Sequence, residues 1–211
     1  VEDKLISLPI LGTAINAAKK KAQEELNRAA YKRALTGTGI DASKLPVGPE
    51  GIFKLKETLS NAYKELWPKV TFKRDAQFNK SLDELKKGAI GLTDSKLNVF
   101  NRVIKDLDKK ISPNGSMLGE TYQVAEKDIA KLAANYLASG GSDRVLGTAL
   151  KQLQNLMRQQ LERINPKNAK ELAQARKNWA HYEILNKAGS AAGDQAEHGF
   201  TAAQLANAVR T

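Results

Sequence analysis

The stretch Asp143–Ile164, DRVLGTALKQLQNLMRQQLERI, decides the fold class. Its apolar residues Leu146, Leu150, Leu153, Met157, Leu161 and Ile164 return every three or four positions. That stride gathers side chains on one face of an α-helix, whereas a half-buried strand would alternate apolar and polar residues. The same stride recurs in several other segments of the chain, each punctuated by turn residues, so the expected fold is all-α.

Downstream, Asn165-Pro166 reads as an N-cap followed by proline at the first helical position, which starts a seventh helix running through Trp179 and Tyr182 to about Ala188. A Gly-Ser-Ala-Ala-Gly linker, residues 189–193, precedes a short last helix, Thr201–Arg210. Upstream, Ser142 is the expected cap of the sixth helix. Gly140-Gly141 closes a fifth, marked by Tyr122, Ala125, Ile129, Leu132, Ala133 and Tyr136. A fourth helix is expected from Thr93 or Asp94 to Lys110, with Leu97, Phe100, Val103, Ile104 and Leu107 inward. A third spans Phe72–Lys87 and buries Phe72, Ala76, Leu82 and Leu85. A second spans Glu50–Leu66, where Pro68 stops it. The first spans Leu11–Leu35, with Ile15, Ala18, Ala22, Leu26, Ala29 and Ala30 on one face. Short connections between the later helices make antiparallel neighbours, so the expectation is an antiparallel helical bundle of about seven to eight helices. The turn signal Ser112-Pro113-Asn114-Gly115 is the marked composition break. It suggests either two halves, 1–111 and 117–211, or one continuous domain.

Composition narrows the function classes. The 211 residues carry 34 Lys and Arg against 23 Asp and Glu, a formal net charge of +11 that favours nucleic acid, an anionic membrane surface or an acidic protein partner. No cysteine is present, which excludes disulfides and thiolate metal sites. No apolar run approaches the roughly 20 residues that span a bilayer, so no transmembrane segment is expected. Neither His181 nor His198 has a metal-spaced partner, and no metal or cofactor is expected. The Gly37-Thr38-Gly39 step follows a helix and lacks the Gly-Lys-Ser/Thr of a phosphate loop. No Gly-x-Ser-x-Gly elbow is present either.

Three groups of residues remain as candidates. Lys19, Lys20, Lys21, Arg28 and Arg33 on the first helix can meet phosphates, which need only positive charge within reach. Arg158, Arg163, Lys167, Lys170, Arg176 and Lys177 make a second basic zone. Leu5, Ile6, Leu8, Ile10 and Leu11 form an apolar N-terminal arm suited to docking on a neighbouring subunit. The arm lacks the basic start of a signal peptide. Glu120, beside Gly119, Thr121 and Tyr122, is the acid in the most suggestive setting for glycoside cleavage, although an acid in the first turn of a helix is also what the helix dipole favours. Trp67 and Trp179 read as core or interface anchors. The opening valine suggests a fragment of a longer protein.

Three stretches carry a resemblance: Leu8–Gly12 together with Glu25–Leu35, the cluster Asn178-Trp179-Ala180-His181-Tyr182, and the tail Gly199–Arg210. Together they resemble a helical module of phage and prophage virion-associated proteins, the internal or ejected proteins that accompany the genome. The resemblance implies a non-enzymatic domain acting in assembly, genome delivery or binding of an acidic partner. Its partners would be other virion or host proteins, and its location the virion or bacterial host cytoplasm; DNA contact is an option that the basic surface leaves open, and an oligomer one that the apolar arm leaves open. The alternatives are a peptidoglycan-cleaving virion enzyme, with Glu120 as general acid, and a nucleic-acid-binding module.

Overall fold

The computed structural model describes the backbone of residues 9–193 and 199–210, and the side chains of residues 13–89, 91–193 and 199–210. Helix accounts for 78% of the structure, which makes the fold all-α. Eight α-helices lie among the described residues: α1 Pro9–Ala34, α2 Pro49–Ala62, α3 Ala76–Gly88, α4 Asp94–Asp108, α5 Gly119–Ser139, α6 Gly141–Ile164, α7 Ala169–Ser190 and α8 Ala202–Arg210. Two short strands, β1 Thr71–Lys73 and β2 Ser116–Leu118, form an antiparallel pair. The chain divides into two compact units, one of Lys64–Leu172 and one of residues 1–63 with 173–211. The division therefore falls near Tyr63 and Leu172. The turn at Ser112–Gly115, read from sequence as the break, lies inside the first of these units and leads directly into β2.

The unit Lys64–Leu172 is organised by α6. Leu146, Leu150, Leu153, Met157 and Leu161 are completely buried, and each such side chain contributes about 1.5–3 kcal/mol of hydrophobic stabilisation. Only Gly140 separates α5 from α6, so the two helices run back along each other. Tyr122, Ala125, Ile129 and Ala133 of α5 are buried, as their spacing requires. From α4, Phe100, Ile104 and Leu107 complete this side of the core. The aromatic end is closed by Phe72, which meets Phe78 edge-on at 5.2 Å and stacks on Tyr122 at 5.6 Å. Trp67 also stacks on Tyr122, at 6.4 Å.

Several boundaries differ from the sequence reading, each for a local reason. Phe72 belongs to β1, not to a third helix: Thr71-Phe72-Lys73 alternates exposed, buried, exposed and pairs Phe72 with Met117. The helix starts at Ala76 because Asp75 caps it, its carboxylate accepting the Phe78 N–H at 3.0 Å. Phe78 with Leu82 then forms the inner line, while Ala76 is exposed. Asn165 ends α6 and does not open α7. Its side chain donates to Thr71 O at 2.9 Å and accepts from Thr71 N at 3.1 Å, which locks β1 against the end of α6. Helix α6 itself begins at Gly141 with no side-chain cap, so Ser142 does not play that part.

The second unit contains α1, α2, α8 and all but the first turn of α7. The buried line of α1 is Asn27, Tyr31 and Ala34, while the expected Ala18, Ala22 and Ala29 are exposed. Alanine brings too little apolar area to choose a helix face, and Tyr31 decides it. Ile52, Leu55 and Leu59 of α2 are buried, as are Leu185 and Ala188 of α7. Helix α7 continues to Ser190, so Gly189-Ser190 is helix and not linker.

Candidate nucleic-acid interface

Helix α1 ends in a packed half but begins in an open one. Residues 13–22 are exposed except Ile15, which is half-buried. Lys19, Lys20 and Lys21 lie in this open stretch, and Arg28 and Arg33 are exposed further along. At 3.6 residues per turn the five do not make one ridge. Arg28 lies two turns beyond Lys21 on nearly the same line. Arg33 falls close to the line of Lys19, and Lys20 follows the line that Asn27 and Tyr31 bury lower down. The stretch from Lys19 to Lys21 thus presents positive charge around the helix, and Lys21 with Arg28 extends it along one side. Arg28 also donates to Ser43 O at 2.8 Å, which ties it to the loop after α1.

Two residues of the second basic zone, Arg158 and Arg163, are engaged within the unit Lys64–Leu172. Arg158 donates to Glu126 at 2.7 Å, and Arg163 pairs with Asp75 and donates to Gln160 at 2.6 Å. That arginine, with the Phe78 N–H after it, holds the Asp75 carboxyl down to about 2. Lys167 and Lys170 are exposed in this unit. In the other unit Lys177 is exposed and Arg176 half-buried. Among the candidates of the apolar arm, Leu5, Ile6 and Leu8 lie outside the described residues, as does His198. Ile10 and Leu11 belong to the first turns of α1, and their side chains lie outside them.

Glu120 stands exposed in the first turn of α5, where the helix dipole favours an acid. His181 and Trp179 sit on α7 within a polar patch that sequence reading missed. Asn178 is completely buried and donates to Thr36 O at 2.9 Å and to Tyr63 Oη at 2.8 Å, while Gln174 donates to its carbonyl at 2.8 Å. Trp179 meets Tyr182 edge-on at 5.5 Å. Nδ1 of His181 is buried without a hydrogen-bond partner. Burial, and then the Arg33 guanidinium, hold this histidine below its ordinary value, while a hydrogen bond with the Arg33 backbone opposes them.

The structure adds two groups in the unit Lys64–Leu172. On α5 and α6, Glu126 binds Arg158 and the buried Gln154, and Gln154 accepts from Lys151 Nζ at 2.8 Å. Burial, with Arg158 nearby, pushes Lys151 below the usual lysine value. A cleft of about 450 Å³ beside α4 and α5 has Val103, Leu107, Ile129 and Leu132 among its walls and Lys110 and Asp128 among its charged residues. Among the described residues no group of three or more His, Asp or Glu could hold a metal ion, and no helix is long and apolar enough to cross a membrane.

The buried polar residues Asn27, Gln154, Gln160 and Asn178 were legible in one respect only. Each stands in phase with core residues of its own helix, as Gln154 does one turn after Leu150. A polar residue in that phase is the signal of an internal hydrogen-bond network. Comparisons with protein-family models, with curated proteins and with solved structures found no match.

Proposed function

We propose that the chain is a helical binding module of a phage or prophage virion protein, serving assembly, genome delivery or the binding of an acidic partner. In this reading α1 is the contact element and DNA phosphates are the partner it fits first. One observation carries the choice of element: the three consecutive lysines 19–21 occupy the stretch of α1 that is exposed nearly all round. The net charge of +11 adds long-range attraction for an anionic polymer. The phage and virion part of the reading rests on the sequence resemblance alone.

A filter-binding titration against salt tests the proposal. Duplex DNA should bind at low salt, with log K falling linearly against log salt. Replacing Lys19, Lys20 and Lys21 together by alanine should flatten that slope by about 0.9 for each phosphate that is no longer neutralised. No retention at low salt, or retention indifferent to salt, removes DNA as the partner.

A further inference from the structure

The tail is held on α1 by an unusual contact. Phe200 is completely buried, and both of its backbone polar groups are taken by one side chain. Asn27 Nδ2 donates to Phe200 O at 2.8 Å, and the Phe200 N–H donates to Asn27 Oδ1 at 3.2 Å. The second hydrogen of the Asn27 amide goes to Gln23 O at 2.8 Å, so both amide hydrogens are used and the group is fixed in orientation. One turn back, Gln23 Nε2 donates to Gly199 O at 2.9 Å. Gly199 itself has φ +80, and a Cβ there would lie 2.4 Å from Asn27 Oδ1. The seat therefore demands a glycine, reads the main chain of the next residue, and buries an aromatic ring.

Beyond Phe200 the tail buries little of itself. Between Thr201 and Arg210 only Ala208 is buried, and seven of the remaining nine residues are exposed. Helix α8 carries its own start signal: the Thr201 N–H donates to Gln204 Oε1 at 2.7 Å, and the Gln204 N–H donates to Thr201 Oγ1 at 3.3 Å. This is a reciprocal capping box, which leaves with the tail if the tail leaves. The bond from Gln204 Nε2 to Ala191 O at 3.1 Å ties it to the residues after α7.

Main-chain pairing supplemented by one side-chain pocket is how proteins hold extended peptide segments. We propose that Gln23 and Asn27 form a docking seat for a Gly-Phe step, filled in the monomer by the chain's own tail and, by exchange, by the tail of a second copy. Every bond in the seat is available to an identical segment arriving from another molecule, so exchange needs no new contact. The intramolecular tail wins at low protein concentration and loses its advantage as concentration rises. The proposal is independent of the reading of α1 as a DNA contact.

The test uses the full chain carrying Phe200→Ala and a fluorescein-labelled synthetic peptide of residues Gly199–Arg210. Fluorescence anisotropy should show saturable binding of the peptide. A peptide with alanine in place of the phenylalanine should not bind. Adding Asn27→Ala should weaken binding about tenfold or more, the loss expected when buried main-chain groups are left without their partner. The wild-type chain should bind more weakly than Phe200→Ala, because its own tail competes. A folded Phe200→Ala chain that ignores the peptide, or takes both peptides equally, overturns the proposal. Should Phe200→Ala lose its helical circular dichroism, sedimentation equilibrium of the wild-type chain decides. A concentration-dependent dimer that excess peptide dissolves supports exchange, and a monomer at every concentration overturns it.

Discussion

His181 sits where a proton would be unwelcome. Its Nδ1 faces no hydrogen-bond partner, and the Arg33 guanidinium lies near enough to repel a charged ring. The unfolded chain feels neither burial nor that neighbour, so it takes up a proton around the ordinary histidine value of 6.5. The folded chain takes one up only at lower pH. Stability is therefore full above that ordinary value and declines as pH falls below it, until the folded ring also protonates. Urea unfolding at a series of pH values from about 8 to about 5, on either side of the ordinary histidine range, should show the midpoint falling. His181→Gln should show a smaller fall, since the amide does not titrate. An equal fall in both chains places the effect on other groups. The same patch shows why residues of this kind escape sequence reading. Asn178 and His181 are three positions apart on α7, and helical stride alone places them near each other. It does not say that Asn178 reaches Thr36 and Tyr63, partners more than 100 residues away in the chain.

The inner face of α6 was legible, because five of its six periodic apolar residues are completely buried and Ile164 is half-buried; its ends were not. Helix α5 was equally clear in its register. The helices that misled were those with weak side chains at the deciding positions. In α1 alanines outnumber larger apolar residues, and the buried line passes through Asn27 and Tyr31 instead. In α3 the reading began at Phe72, since one phenylalanine fits a strand or a helix equally well until its pairing with Met117 is seen. The candidate site was legible as positive charge along α1. Its arrangement was not, because sequence does not tell which turns of a helix are packed. The contact between α5 and α6 turns on a residue no periodicity would select. A Cβ at Gly147 would lie 2.7 Å from the Leu137 backbone nitrogen and 3.0 Å from Ala133 O. Both of these atoms are α5 backbone, so relief requires α5 to shift against α6 and not merely a side chain to turn. Gly147→Ala should therefore lower stability by about 1–3 kcal/mol, despite alanine's better helix propensity. Denaturant midpoints would measure it; an unchanged or raised midpoint would show that α5 shifts against α6 at little cost.

At the scale of the molecule, the two units are strung differently on the chain. Lys64–Leu172 is one continuous stretch, whereas the other unit is assembled from residues 1–63 and 173–211. The continuous stretch holds complete pairings: β1 with β2, α5 with α6, and Asn165 closed onto Thr71. Its core includes Phe72, Phe78, Phe100, Tyr122 and the buried face of α6, all from within those boundaries. Its length falls in the range in which single domains of about 100–150 residues fold alone. The discontinuous unit lacks that independence. Asn178 on α7 bonds Thr36 and Tyr63, and Asn27 on α1 bonds Phe200, so each end of the chain supplies partners the other needs. A polypeptide of residues 64–172 should accordingly show helical circular dichroism and a single sigmoidal melt. Residues 1–63 alone should give neither, because Asn27 would lose Phe200, and Thr36 and Tyr63 would lose Asn178. A gradual, non-cooperative melt of 64–172 would mean that its core draws on the terminal segments after all.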